Sequence, residues 1–172
     1  MSALSLITAP DPRLKLRSTP VERVDDDLRR LVDGMLQIMY QAPGIGLSAI
    51  QVGVAKQVIV VDVARDDEPP TPLHLINPKL VWFSEQGVVM SEGCLSLPEH
   101  FAEIERPARV RVEFLDAHGR PQSLEADDLL SRCIQHEYDH LDGILFVDHL
   151  SALKRNMILR KLVKARRQQA SA

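Results

Sequence analysis

Apolar positions change period several times along the chain. Leu28, Leu31, Val32, Met35, Leu36 and Met39 recur at three- and four-residue spacing, which gathers them on one helical face. The acidic run Asp25-Asp26-Asp27 suits the first turn of that helix, and Pro43-Gly44 stops it. Residues 57–63 are β-branched and apolar and read as a buried strand. Residues 74–77 and 79–83 read as two further strands, and 86–91 as another that ends just before Gly93-Cys94. Residues 108–115 alternate apolar with polar, turn at Ala117-His118-Gly119, and return through 122–126. That is a hairpin pattern. Asp127 or Asp128 can cap a helix that runs through His140 and ends near Asp142-Gly143. A last helix spans roughly 151–168.

Strands dominate the middle, and helices lie at both ends and around residue 136. The order argues for an α+β fold rather than alternating β/α units. The expected architecture is antiparallel or mixed sheets wrapped around a central helix, with N-terminal and C-terminal helices. With 172 residues and no Gly/Ser/Pro-rich linker, residues 1–172 read as a single domain. Composition and a net charge of -3 fit a globular chain with no global attraction to nucleic acid. No apolar run approaches the roughly 20 residues of a membrane span. Two cysteines, Cys94 and Cys133, are too few for a disulfide framework and favour a reducing compartment. Residues 1–7 lack a basic stretch and are too short for a secretory core. The expected location is the cytoplasm.

The run Gln135-His136-Glu137-Tyr138-Asp139-His140 changes this picture. It contains His-Glu-x-x-His. Two histidines four apart project from one helical face and can share a metal ion, with the glutamate beside the first placed to reach water on that ion. A catalytic site usually has a third protein ligand, here a carboxylate or a thiolate. Cys94 lies in Glu92-Gly93-Cys94-Leu95-Ser96-Leu97-Pro98, which reads as a shaped loop after a strand. Taken alone, it is better read as a buried structural cysteine. Cys133 is a weaker candidate, since it sits three residues before His136 on the same helix and would pack as a small hydrophobe.

Three segments together carry a resemblance. Gly44-Ile45-Gly46-Leu47-Ser48-Ala49-Ile50-Gln51-Val52-Gly53 resembles the first signature of the peptide deformylases, Gly-x-Gly-Leu-Ala-Ala-x-Gln. Glu92-Gly93-Cys94-Leu95-Ser96 is similar to their second, and residues 135–140 to their third. Order and separations agree, from Pro10-Asp11-Pro12 to the terminal helix. Two positions depart from the pattern. Ser48 replaces the usual alanine, adding a hydroxyl that needs a partner if buried. Phe101 stands where some relatives carry an arginine that contacts the peptide backbone.

The resemblance implies a metal held by Cys94, His136 and His140. Fe²⁺ is the expected ion, and Zn²⁺, Ni²⁺ or Co²⁺ can substitute in a mixed thiolate and imidazole set. It implies hydrolysis of a linear amide: removal of the formyl group from the N-terminal formyl-methionine of new polypeptides, releasing formate. Glu137 would move the proton, while Gln51 and the backbone N–H of Leu95 would stabilise the developing oxyanion. The methionine side chain would be received by Ile45, Met90, Leu129 and Cys133, with Gly46 allowing close approach of the substrate chain. Plain core packing is the alternative for Ile45, Met90 and Leu129. Arg132 is expected to flank this pocket with its stem and send its head to solvent. Glu92 and Arg106 are either a pair supporting the metal site or an inconsequential surface pair.

After Ser151 every charged side chain is basic: Lys154, Arg155, Arg160, Lys161, Lys164, Arg166 and Arg167. The plain reading is a solvated helix whose basic end complements its own dipole. The resemblance implies ribosome binding through this helix, by a chain expected to be monomeric and to work on nascent peptides. Two rival readings keep the same motif. One is a gluzincin- or metzincin-like protease, whose third ligand would come from downstream of His140. The other is a non-enzymatic binding protein, whose mark would be loss of Cys94, Gln51 or Glu137.

Overall fold

The computed structural model describes residues 3–171. In chain order its elements are α1 (Asp26–Gln41), β1 (Gly46–Ser48), β2 (Val58–Val61), β3 (Leu73–Phe83), β4 (Gly87–Cys94), β5 (Leu97–Pro107), β6 (Val110–Leu115), β7 (Pro121–Ala126), α2 (Asp128–Leu141) and α3 (Ala152–Ala170). Short 3-10 turns occupy Pro12–Lys15, Ala49–Val52 and Phe146–His149. The fold is α+β, as its sequence pattern predicts. Five strands form one sheet in the order β1-β2-β3-β6-β7, and β4 and β5 form a separate two-stranded sheet. All pairings between these strands are antiparallel.

Helix α1 begins where the acidic run predicts. The Asp25 side chain accepts a hydrogen bond from the Leu28 N–H at 3.0 Å, capping the first turn. Its apolar stripe (Leu28, Val32, Met35 and Met39) packs on Leu47, Val58, Val60 and Ile76 from one face of the larger sheet. The opposite face, with Ile59, Val61, Leu75, Val110 and Val112, closes on Cys133, Ile134 and Leu141 of α2. Residues 131–137 are buried without interruption. Polar α2 is therefore the central helix of the molecule, packed against β1 and β2 and against β5.

Four strands differ from the sequence reading. Strand β1 is only three residues long, too short to show a period, and the sequence reading does not assign it. The strands expected at 74–77 and 79–83 are one strand, β3, whose ladder slips between Ile76 and Lys79. Asn77 sits at that slip with φ 51°, and its side-chain amide exchanges two hydrogen bonds with the backbone of Val21. Asparagine tolerates that conformation better than most residues. Strand β5 is absent from the sequence reading. Its inward positions include Arg106, and much of its surface is solvated, so no apolar alternation marks it. Finally, β4 does not end before Gly93 but runs through Cys94, and the chain reverses within Leu95-Ser96. Cys94 thus belongs to the end of a hairpin strand rather than to a shaped loop after it.

The N-terminal segment straps the second half to the first. Ile7 N–H donates to the Gln51 carbonyl and Ala9 N–H to the Ser96 carbonyl, both at 2.8 Å. After α2, Gly143 turns with φ 73°, and a Cβ there would lie 2.3 Å from the Lys15 carbonyl oxygen. Both the backbone conformation and the available space require glycine. Gly143→Ala should destabilise the fold by roughly 2–4 kcal/mol, read as a lower urea midpoint. An unchanged midpoint would mean that the Lys15 segment moves aside freely.

Candidate functional site

Helical spacing puts the His136 and His140 rings on one face of α2, with centroids 5.2 Å apart. The β4–β5 hairpin brings Cys94 to them from the other sheet. One ligand atom from each of the three residues lies within 4.8 Å of the other two. Cys94 Sγ is 3.5 Å from His140 Nε2. Bonds of 2.0–2.3 Å in a tetrahedral site put ligand atoms roughly 3.3–3.8 Å apart, so a small inward contraction would seat a Zn²⁺- or Fe²⁺-sized ion. His136 Nδ1 lies 3.0 Å from Glu92 Oε1, an orientation that turns Nε2 toward the cysteine.

The two histidines are shifted in opposite directions. Burial opposes charge on His136, but hydrogen bonding to Cys94 and Glu92 outweighs it and raises its pKa well above the usual value. His140 is pushed well below by burial, and then by its neighbour His136. The donor set and its surroundings fit the metal that the sequence implies.

Glu92 anchors this arrangement. Arg106 meets it as a fork, Nε to Oε2 at 2.6 Å and Nη2 to Oε1 at 2.9 Å. The two side chains are 6% and 4% exposed, so this is not a surface pair. Burial opposes the Glu92 charge, yet the hydrogen bonds from His136 and Arg106 overcome it and hold its carboxyl at about 2. The second arginine is a correction to the sequence reading. Arg132 does not send its head to solvent: it is buried, bonded to Glu92 and to the carbonyls of Ile104 and Val88. Its position one turn before His136, on the buried face of α2, was the available signal. Arg106 also donates to Asp139 at 2.9 Å, and Asp139 in turn contacts His149.

Glu137 is buried, and its Oε1 lies 3.8 Å from His136 Nε2. Its Oε2 has no hydrogen-bond partner among the described residues. Burial raises its carboxyl to about 7, against the opposing pull of His136 and Arg106. A group balanced there can both take and return a proton near neutral pH. Gln51 is equally buried. Its Oε1 accepts from the backbone N–H and the hydroxyl of Ser48, at 3.0 and 3.1 Å. Its Nε2 is thereby turned to Ser96 Oγ at 3.1 Å and Cys94 Sγ at 3.6 Å. The Ser48 hydroxyl has its partner. Ser96, which the sequence reading passed over, donates onward to the Ile7 carbonyl at 2.7 Å.

A cleft of about 720 Å³ opens onto this group. Ile45, Gly46, Leu95, Leu129 and Cys133 line it, together with His136 and Glu137. Met90 does not: it is 40% exposed, and Ser91 takes part in the lining instead. Gly46 is small for a protein reason as well. A Cβ there would lie 2.6 Å from Cys133 Sγ and 3.0 Å from Glu137 Cγ, so glycine lets β1 pack on α2. The downstream residues that a protease-type site would recruit are engaged elsewhere. Asp148 pairs with Lys15, His149 with Asp139, and Asp142 with Arg17.

The sequence profile of the polypeptide deformylase family matches residues 3–156. The chain belongs to that family. It is 53% identical to the peptide deformylase of Rhizobium meliloti (strain 1021) over 165 residues, spanning 96% of this chain and 95% of that protein. It is 51% identical to that of Brucella suis biovar 1 (strain 1330) over 171 residues, spanning 99% and 98%. A crystal structure of peptide deformylase from Ehrlichia chaffeensis superposes with a TM-score of 0.93 at 42% identity, covering 98% of this chain and 99% of that one. Another from Ehrlichia chaffeensis, in complex with actinonin, gives 0.90 at 44% identity over 96% and 98%. The family expected from the three signatures is thus the family found, and its members are metal-dependent enzymes.

The buried charges make a stability test possible. Arg106→Leu leaves Glu92 and Asp139 without their shared cation and should cost about 3–5 kcal/mol in urea unfolding. A loss below about 1 kcal/mol would show that Arg132 alone neutralises the site.

Proposed function

We propose that this chain removes the formyl group from the N-terminal formyl-methionine of newly made polypeptides. The observation that carries the reading is the convergence of Cys94, His136 and His140 beside the buried carboxylate of Glu137. Those three residues would hold the metal, Fe²⁺ in the cell, with Zn²⁺, Ni²⁺ or Co²⁺ as substitutes. When bound, the ion supplies a Lewis acid that polarises the formyl carbonyl and eases ionisation of water.

The chain's own residues do the rest. Glu137 takes the proton from the attacking water and returns it to the leaving amine, so that formate and a free amino terminus result. Its separation from His136 keeps it out of the ligand set but adjacent to it. Negative charge developing on the formyl oxygen is met by the amide of Gln51 and the backbone N–H of Leu95. Ser48 and Ser96 hold the Gln51 amide from both ends. The methionine side chain enters the apolar part of the cleft between Ile45, Leu129 and Cys133. Met90 is 40% exposed and outside the lining of the cleft, and is left out of this assignment. Gly46 contributes by keeping β1 close to the helix. Strand β1 is an edge of its sheet and β4 has a partner on one side only, so an extended peptide can lie between two open strand edges.

We also propose that the enzyme works in the cytoplasm as a monomer and docks on ribosomes through α3. None of its helices among the described residues is long and apolar enough to cross a membrane. Helix α3 buries only Leu162 and carries Lys154, Arg155, Arg160, Lys161 and Lys164. Such a basic surface suits RNA phosphates. Replacing those five by glutamate should abolish co-sedimentation with ribosomes at low salt while formate release from a free tripeptide persists. Undiminished co-sedimentation would remove α3 from the docking surface.

The chemical assignment is checked with formyl-Met-Ala-Ser. Glu137→Ala should retain the metal and lose formate release by at least about 10²-fold. Full activity would eliminate Glu137 as the base. Cys94→Ser should weaken Fe²⁺ retention in anaerobically purified protein, and unchanged metal content would remove Cys94 from the ligand set.

A further inference from the structure

His149 is not among the metal ligands, yet a hydrogen-bonded chain joins it to one of them. Its Nε2 meets Asp139 Oδ2 at 2.8 Å. A carboxylate oxygen only accepts, which assigns the hydrogen to that ring nitrogen. The same oxygen accepts from Arg106 Nη1 at 2.9 Å. Arg106 forks onto Glu92, and Glu92 meets His136 Nδ1. Donor and acceptor thus alternate from the surface, where His149 is 38% exposed, to the buried ligand.

The outer donor is held firmly. His149 ends the Phe146–His149 turn, in which Phe146 and Val147 are buried. Asp148 accepts from the Leu145 N–H at 2.8 Å and pairs with Lys15 at 2.6 Å. The Phe146 ring stacks against His136, with centroids 6.3 Å apart. One turn therefore supports the same ligand twice, at its ring face through Phe146 and at Nδ1 through the chain. Among the described residues only Arg106 and His149 bond the Asp139 carboxylate. The fork to Glu92 fixes one edge of the guanidinium, and Asp139 fixes Nη1 on the other. If Asp139 turns away, Nη1 loses its partner and the guanidinium plane can tilt, taking Glu92 with it.

We propose that His149 is a positioning residue for the metal ligand His136. By fixing Asp139 it locks Arg106, and through Arg106 the Glu92 carboxylate that orients the imidazole. It touches neither substrate nor metal. Its pair with Asp139 is partly exposed and adds little stability, so its effect lies in geometry. The inference rests on the deformylase reading and deepens it.

The test uses the full-length protein, with Co²⁺ as the metal probe and formyl-Met-Ala-Ser as substrate. His149→Phe keeps a ring and removes the donor. Co²⁺ affinity should fall about threefold to tenfold, less than is usual for a group bonded directly to a ligand. In the metal-loaded variant kcat should fall similarly with KM unchanged, and the urea midpoint should stay at the wild-type value. His149→Gln retains an N–H donor and should restore most of both losses. In an Asp139→Ala background, where the chain is already cut, His149→Phe should add nothing. Wild-type affinity and kcat in His149→Phe would overturn the inference. So would a loss that glutamine does not rescue, or one that comes with a lowered urea midpoint. A wild-type chain that binds Co²⁺ and releases no formate would overturn the deformylase reading, while the affinity comparison still decides the role of His149.

Discussion

The carboxylate of Glu92 is a negative charge held inside the protein, and the active region is organised by its partners. Isolated burial of such a group would cost several kcal/mol. Here it is met from three directions, by Arg106 of β5 and by Arg132 and His136 of α2. The small sheet and the central helix are thereby fixed to each other through charge-assisted hydrogen bonds, whose geometry is narrower than that of apolar packing. A shift of the hairpin relative to α2 would break several of these at once. Cys94, two residues after Glu92 on β4, is carried by the same constraint to the two histidines.

The same contacts set the chemistry. Glu92 orients the His136 ring and leaves Nε2 for the metal site. One position along α2, Glu137 receives no such partners. Burial dominates it, and its carboxyl rises to about 7 while that of Glu92 falls to about 2. Two carboxylates in one buried region are separated in role by what surrounds them: hydrogen-bonded cations at Glu92, burial at Glu137. Gln51 is positioned by an analogous chain, Ser48 on its oxygen and Ser96 on its nitrogen, which ends on the N-terminal strap at Ile7. A segment far from the chemistry in sequence thus steadies a donor beside it.

Most of the elements were readable in the chain because they bury one regular face. The stripe of α1 and the apolar run of β2 announce themselves by period. Strand β5 did not, since its inward positions include Arg106 and its outward ones mix Glu103 and Glu105 with the exposed Phe101. Arg132 was misread for a related reason: a long cationic side chain is normally exposed. Only the position of Glu92 shows why Arg132 is buried.

The sequence by itself determined the local facts: an α+β chain, a helix presenting two histidines on one face, a glutamate between them, and, through its three signatures, the family. Those follow from period, spacing and residue type, which act within a few residues along the chain. Tertiary structure decided the rest. It brought Cys94 within 3.5 Å of His140 across 46 positions. It buried the Glu92–Arg106 pair, and it set Phe101 on the rim of the cleft rather than in a core. These depend on how two separate sheets close on one helix, through contacts between residues distant in the chain, where periodicity carries no information.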